Sequence, residues 1–253
     1  MPNTVIPSPG ILLSLLLLNS AALGDQPVTI YGDINYPPYS FEEEGRPKGI
    51  YVNILGAVFA RMPDYDVEIK MIPWKRGLEY VKKGEAVAVF PPYYVEERIP
   101  WMSHSEPILS EEVVVFGNEE NLRGKTEWPD DFLGSKIGLN TGYDPAVIGG
   151  TAFAKACKNG NIVLHEAYTT EANLHRLQGG KIQFFLNVGE TDITSYPQVR
   201  RGPVVNRGEG YLGFTRAEDN FPFLPKFKAE FNALVTSMKR SGEIDKLAEA
   251  YWK

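Results

Sequence analysis

The sequence predicts a two-lobed α/β protein in which each lobe is a mostly parallel sheet flanked by helices and the chain crosses between the lobes twice. Three observations carry this. Residues 28–90 alternate short apolar runs with stretches of helical periodicity in the order β-α-β-α-β, the pattern of parallel strands covered by helices. The same pattern restarts after a polar stretch at residues 117–131. One strand at 210–215 and two helices then remain, too little for a third domain, so they return to the first lobe. The expected organisation is a leader at 1–24, lobe 1 at 25–112 and 210–253, and lobe 2 at 113–209.

Each element has its own reason. Val28 and Ile30 open a short buried strand, and after a Gly/Pro-rich turn Ile50, Ile54, Leu55, Val58 and Phe59 recur at helical spacing. Val67, Ile69 and Met71 alternate as one strand face, and Leu78 and Val81 mark a helix over 75–83 that Gly84 ends. Residues 86–90 and 113–116 are continuous apolar strands. In the second lobe, strands are expected at 136–139, 162–164 and 182–186, with helices at 146–157 and 170–178. The tail carries helices at 225–240 and 243–252, the last with Ile244, Leu247, Ala248 and Tyr251 on one face.

Composition narrows the function classes. The 253 residues hold 26 basic and 32 acidic side chains, a net charge of −6, and the basic residues are scattered rather than clustered as nucleic-acid binding requires. A lone Cys157 excludes an internal disulfide, and no Cys/His spacing suits zinc, so no metal or other cofactor is expected. The one long apolar run, residues 11–18, is too short to span a bilayer and precedes the small residues Ala22 and Gly24. It reads as a cleaved secretory leader with the mature chain starting at Asp25, hence an exported monomer. Two lobes joined by paired crossings leave a cleft between them, and small-molecule sites favour such interfaces and the carboxyl ends of parallel strands.

Several phrases in this chain carry a family resemblance. Tyr36-Pro37-Pro38-Tyr39-Ser40-Phe41 followed by Gly49, then Pro73-Trp74-Lys75-Arg76-Gly77, then Glu96-Glu97-Arg98 leading to Met102-Ser103-His104-Ser105-Glu106-Pro107, resemble the extracellular solute-binding protein family 3. These are the periplasmic receptors of polar amino-acid ABC transporters. The resemblance covers essentially all of the mature chain. It implies a periplasmic-binding-protein-like fold of type II, closure around a small solute and delivery to an ABC permease at the inner membrane. Relatives of the fold also include periplasmic dehydratases of the cyclohexadienyl type and ligand-sensing partners of receptors, and these are the alternatives.

The resemblance also assigns residues. Arg98 stands where the family holds a ligand α-carboxylate, a role that suits a planar guanidinium fork; on spacing alone it reads as a surface arginine paired with Glu96 or Glu97. Asp33 matches the cleft floor, where it can accept from a ligand ammonium or orient Arg98, or simply make an Asx turn. Tyr36 and Trp74 match aromatic walls, with Arg76 beside Trp74 as a further cation. The loop of Thr141, Gly142 and Tyr143 completes the carboxylate site, its amides forming an anion-friendly nest before a helix capped by Asp144 and opened by Pro145. Two departures bear on the ligand. Asn187 and Val188 stand where the family often has an acidic residue for the α-amino group, with Glu190 two residues on and available as an acid in the enzymatic alternative. Pro91 and Pro92, lacking N–H groups, replace an element that usually donates to the carboxylate. Both weaken the case for an ordinary free α-amino acid.

Overall fold

A computed structural model describes residues 25–252; the expected leader at 1–24 lies outside the described residues. The first sheet is built from β1 (Gln26–Asp33), β5 (Tyr65–Ile72), β6 (Ala88–Phe90), β7 (Met102–His104) and β13 (Gly213–Thr215), in the order β5-β1-β6-β13-β7. A hairpin sheet of β2 (Asn35–Tyr36), β3 (Ser40–Glu43) and β4 (Arg46–Lys48) follows β1. Its helices are α1 (Ile50–Phe59), α2 (Trp74–Lys83), α6 (Leu224–Arg240) and α7 (Glu243–Ala250). The tail therefore returns to the first sheet, as one leftover strand required.

The second sheet takes β8 (Leu109–Asn118), β9 (Lys136–Asn140), β10 (Val163–Ala167), β11 (Phe184–Val188) and β12 (Val199–Gly210), in the order β10-β9-β11-β8-β12. A short α3 (Glu119–Leu122), α4 (Pro145–Lys158) and α5 (Thr170–Gln178) accompany it. Both faces are covered at its centre, which is why β11 and the middle of β8 read as near-continuous apolar runs. On β11, Phe184 and Leu186 pack with Phe132 and Phe153, while Phe185 packs the opposite way with Leu174 and Leu177.

Both sheets are mixed. β1 pairs parallel with β5 and β6, and β9 parallel with β10 and β11, but β13, β8 and β12 join antiparallel. The strand expected at 113–116 runs from Leu109 to Asn118, and its partner β12 was not expected as a strand at all. β12 is polar or glycine at most of its positions, so it shows no alternation; its pairing to β8 alone makes it a strand. A backbone bond from Ile108 to the Gly210 carbonyl (2.9 Å) closes the end of this ribbon, and one from Tyr211 to the Pro92 carbonyl (3.1 Å) ties it to the segment that follows β6.

The local signals for the helices hold. Gly84 ends α2 in the left-handed region at φ 70°, and the Asp144 side chain caps α4 by accepting from the Ala146 N–H at 2.8 Å ahead of Pro145. The helix expected to be continuous over 146–157 is broken at Gly150, whose φ of 85° and ψ of 165° are not helical. No helix among the described residues is long and apolar enough to cross a membrane.

Candidate functional site

The carboxyl ends of β1 and β6, side by side in the first sheet, and that of β9 in the second border a cavity of about 40 Å³ lined by Asp33, Tyr36, Trp74, Tyr93, Arg98, Tyr143 and Asp144. Val147 and Ile148, from the first turn of α4, close its apolar side. Arg98, at the end of a short 3-10 turn, is only 9% exposed. Its guanidinium lies over the Trp74 ring, 5.8 Å from the centroid. Among the described residues its side chain makes no ion pair and no hydrogen bond, so the pairing with Glu96 or Glu97 that spacing allowed does not form. A buried cation without a counter-ion is costly unless a ligand supplies one. Burial holds its pKa below the usual range, with Asp144 opposing the shift.

Asp33 ends β1 and is buried. One carboxylate oxygen accepts from the Asn35 N–H at 3.0 Å, an Asx turn, and the other from the Tyr143 hydroxyl at 3.1 Å. The Asx turn therefore forms and Asp33 also lines the cavity, but it makes no hydrogen bond or ion pair with Arg98, and each of its oxygens already accepts a bond from within the protein. Burial raises the Asp33 pKa from 3.8 to about 6, and the two hydrogen bonds offset only part of that.

A second buried carboxylate, Glu111 near the start of β8, gathers three tyrosines. It accepts from the hydroxyls of Tyr36, Tyr51 and Tyr93, the last at 2.7 Å, and Tyr36 and Tyr93 hydroxyls stand 3.0 Å apart. Two of those rings line the cavity, so a carboxylate on the crossing ribbon fixes its walls. Burial raises the Glu111 pKa from 4.5 to about 7 against the three hydrogen bonds, with Glu190 adding to the rise. The hydroxyls of Tyr36, Tyr51 and Tyr93 are in turn pushed well above 10 by burial and by the Glu111 charge.

These two acids bind protons more tightly folded than unfolded, so they favour the fold below about pH 4 and that contribution is lost as pH rises through about 6 for Asp33 and about 7 for Glu111. Melting temperature, followed by circular dichroism, should accordingly fall between about pH 4 and 7 and then level off. Asp33→Asn should flatten the lower part of that slope and Glu111→Gln the upper part. A wild-type melting temperature that rises across this window would contradict both assignments.

Contacts across the cleft hold the lobes together. Besides Tyr143 to Asp33, the Tyr39 hydroxyl donates to Glu190 at 2.9 Å and the Asn140 amide reaches the Asn35 carbonyl at 3.4 Å. The sequence-assigned residues are therefore only partly brought together. Asp33, Tyr36, Trp74, Arg98 and Tyr143 converge on the cavity. Arg76 lies exposed on α2 and does not line it. Thr141 and Gly142 sit half-buried in the β9–α4 loop; the Thr141 N–H donates to the Ala167 carbonyl and the Tyr143 N–H to Asn140. Two of the three amides expected as an anion nest are thus spent on backbone bonds, and the loop contributes the Tyr143 side chain instead.

Asn187 is buried away from the cavity, donating to the Thr170 hydroxyl at 3.1 Å in a polar cluster with Asn140 and Asn173. Glu190 borders a separate groove with Pro38, Tyr196 and Trp252, so it is not placed to act at Arg98. Val147, Ile148 and Glu111 were not singled out from sequence. Glu111 could have been flagged only as an acid beside an apolar run, which is usually a solvated strand end. Among the described residues no group of three or more His, Cys, Asp or Glu side chains is arranged to hold a metal ion.

Comparison with known proteins follows the same lines. A comparison with curated protein sequences finds no match. Solved structures of the same fold include an ancestral arginine-binding protein bound to arginine, 15% identical with a TM-score of 0.73, covering 90% of this chain and 98% of that one. A histidine kinase sensor domain similar to periplasmic binding proteins is 17% identical with a TM-score of 0.75, covering 90% and 96%. A chain from a study of glutathione import through a cystine ABC importer of Streptococcus mutans is 18% identical with a TM-score of 0.75, covering 90% and 95%. At these identities the likeness shows the fold alone. The family model for bacterial extracellular solute-binding proteins, family 3, matches residues 28–253, and the chain belongs to that family.

Proposed function

We propose that the protein captures a small carboxylate-bearing solute between its two lobes and, as a periplasmic monomer, delivers it to an ABC permease at the inner membrane. The observation that carries the reading is Arg98, a buried guanidinium facing the cavity with no counter-ion. Trp74 beneath it and Tyr36 and Tyr93 beside it supply flat walls at low rotamer cost. Lobe 1 comprises residues 25–112 and 210–253 and lobe 2 the segment between, so closure is a hinge motion on the β8–β12 ribbon near residues 112–116 and 205–210.

A thermal-shift screen of organic acids, amino acids, amines and small peptides against the mature protein tests this. A ligand at a hundred times its dissociation constant stabilises the native state by about 2.7 kcal/mol, enough to see in a melt. Hits should carry a carboxylate, and small-angle scattering with a hit present should show compaction. Tight binders that all lack an acidic group would overturn the reading. The sensor-domain likeness favours sensing as the second reading; loss of solute uptake on deleting the protein would separate transport from it.

A further inference from the structure

The cavity at Arg98 has room for a head group and little more. At about 40 Å³ it holds a few water-sized groups, far below the ~300–1,000 Å³ of sites that enclose a whole small molecule. It does not stand alone. Tyr93, Asp144 and Val147 also border an outer groove of about 490 Å³ that lies between residues 93–97, the start of α4 and the end of β12. The cavity and the groove thus adjoin at these three residues, as an inner end and an outer one.

The outer groove has a one-sided character. Glu96, Glu97, Asp144 and Glu209 present carboxylates there, while its one cation, Arg207, is held by Glu112 through bonds of 2.9 and 3.2 Å. Two tyrosines add flat rings. Tyr94 is 59% exposed although large and aromatic, and Tyr94 and Tyr211 flank His104 at centroid distances of 5.3 and 5.2 Å. Carboxylates beside exposed aromatic faces suit an ammonium or guanidinium. The inner end differs in offering a cation, because Arg98 is nine-tenths buried, without an ion pair or hydrogen bond among the described residues, and lines the cavity.

The carboxylates that line the inner end, Asp33 and Asp144, are each already engaged within the protein. Each Asp33 oxygen accepts one bond, from Asn35 or Tyr143, Asp144 caps α4 and faces the outer groove as well, and Asn187 and Val188, where the resemblance leads one to expect an acid, are buried away from the cavity.

Resting on the carboxylate reading above, we propose that the solute is longer than a free α-amino acid: a carboxylate head held by Arg98 joined through an uncharged spacer to a cationic group that lies among the outer-groove carboxylates and tyrosines. Calorimetric titration with ω-amino acids tests it directly. Glycine, 4-aminobutanoate, 6-aminohexanoate and 8-aminooctanoate should bind with rising affinity, and 6-aminohexanoate about tenfold more tightly than hexanoate at low salt, an advantage that shrinks as salt screens the exposed carboxylates. Hexylamine and adipate should bind more weakly than 6-aminohexanoate.

The combined variant Glu96→Gln, Glu97→Gln, Glu209→Gln should erase the advantage over hexanoate. If carboxylates bind but the ω-amino group adds nothing, if adipate or hexylamine binds as tightly as 6-aminohexanoate, or if the variant keeps the advantage, the outer-groove proposal is overturned while the Arg98 site stands. If no member of the series binds, the carboxylate reading falls with it.

Discussion

Arg98→Ala should weaken binding of a simple carboxylate by roughly a hundredfold, because truncating one side of a desolvated charge pair costs about 2–5 kcal/mol. The unliganded protein should melt within a few degrees of wild type. Arg98 contributes its stacking over Trp74 to the fold, but it also buries a cation that has no counter-ion, and these two effects oppose each other. Arg98→Lys should fall between, since an ammonium keeps the charge and loses the two-pronged geometry. Calorimetry and a melt on the same three proteins decide the matter. An Arg98→Ala protein that binds carboxylates as well as wild type would remove the guanidinium from the site, whereas one that fails to bind and also unfolds early would make it structural.

The largest loss of stability is expected from Gly49→Ala. Gly49 precedes α1 with φ 119° and ψ 170°, a backbone region open essentially to glycine alone. A methyl group there would overlap the Tyr39 carbonyl, coming within 2.6 Å of its carbon and 2.8 Å of the Ser40 nitrogen. Those are backbone atoms held by bonds from Ile50 to Pro38 and from Tyr51 to Tyr39 (3.1 and 2.9 Å), so they cannot swing aside as a side chain would. The helix it would displace buries Tyr51, Ile54, Leu55 and Val58 completely, and Tyr51 also bonds Glu111. A loss of about 3–5 kcal/mol follows from strain and lost packing together. Gly45→Ala is the matched control: its φ of 73° is also left-handed, but nothing lies within 4 Å of the added carbon, so about 1–2 kcal/mol is expected. Equal losses at the two positions, measured by denaturant melts, would show that conformation alone and not the close approach is at work.

Gly49 also shows how far local signals reach. It was read from the sequence as part of a recurring phrase, and the phrase is a physical unit: the turn after Tyr39 needs a residue without a side chain where the chain enters α1. The α/β order, the return of the tail to the first sheet and the Asp144 cap were likewise legible, because apolar periodicity and capping are written into neighbouring residues. The strand β12 was not. Its residues carry no alternation, and only pairing with β8, a partner some ninety positions away as in Arg201 with Glu112, makes it extended.

For the site, the family phrases can be read along the chain, and the resemblance they carry leads one to expect that Asp33, Tyr36, Trp74 and Arg98 meet the loop that holds Tyr143. Tertiary structure decided what those residues are free to do. It spent Asp33 on Asn35 and Tyr143, turned Glu190 toward Tyr39, left Arg76 in solvent, buried Arg98 without a partner and gathered three tyrosines around Glu111. The reason is that periodicity and turn chemistry act over a few residues. Whether a charge is desolvated, and whether its lone pairs are already taken, depends instead on groups brought together from distant parts of the chain.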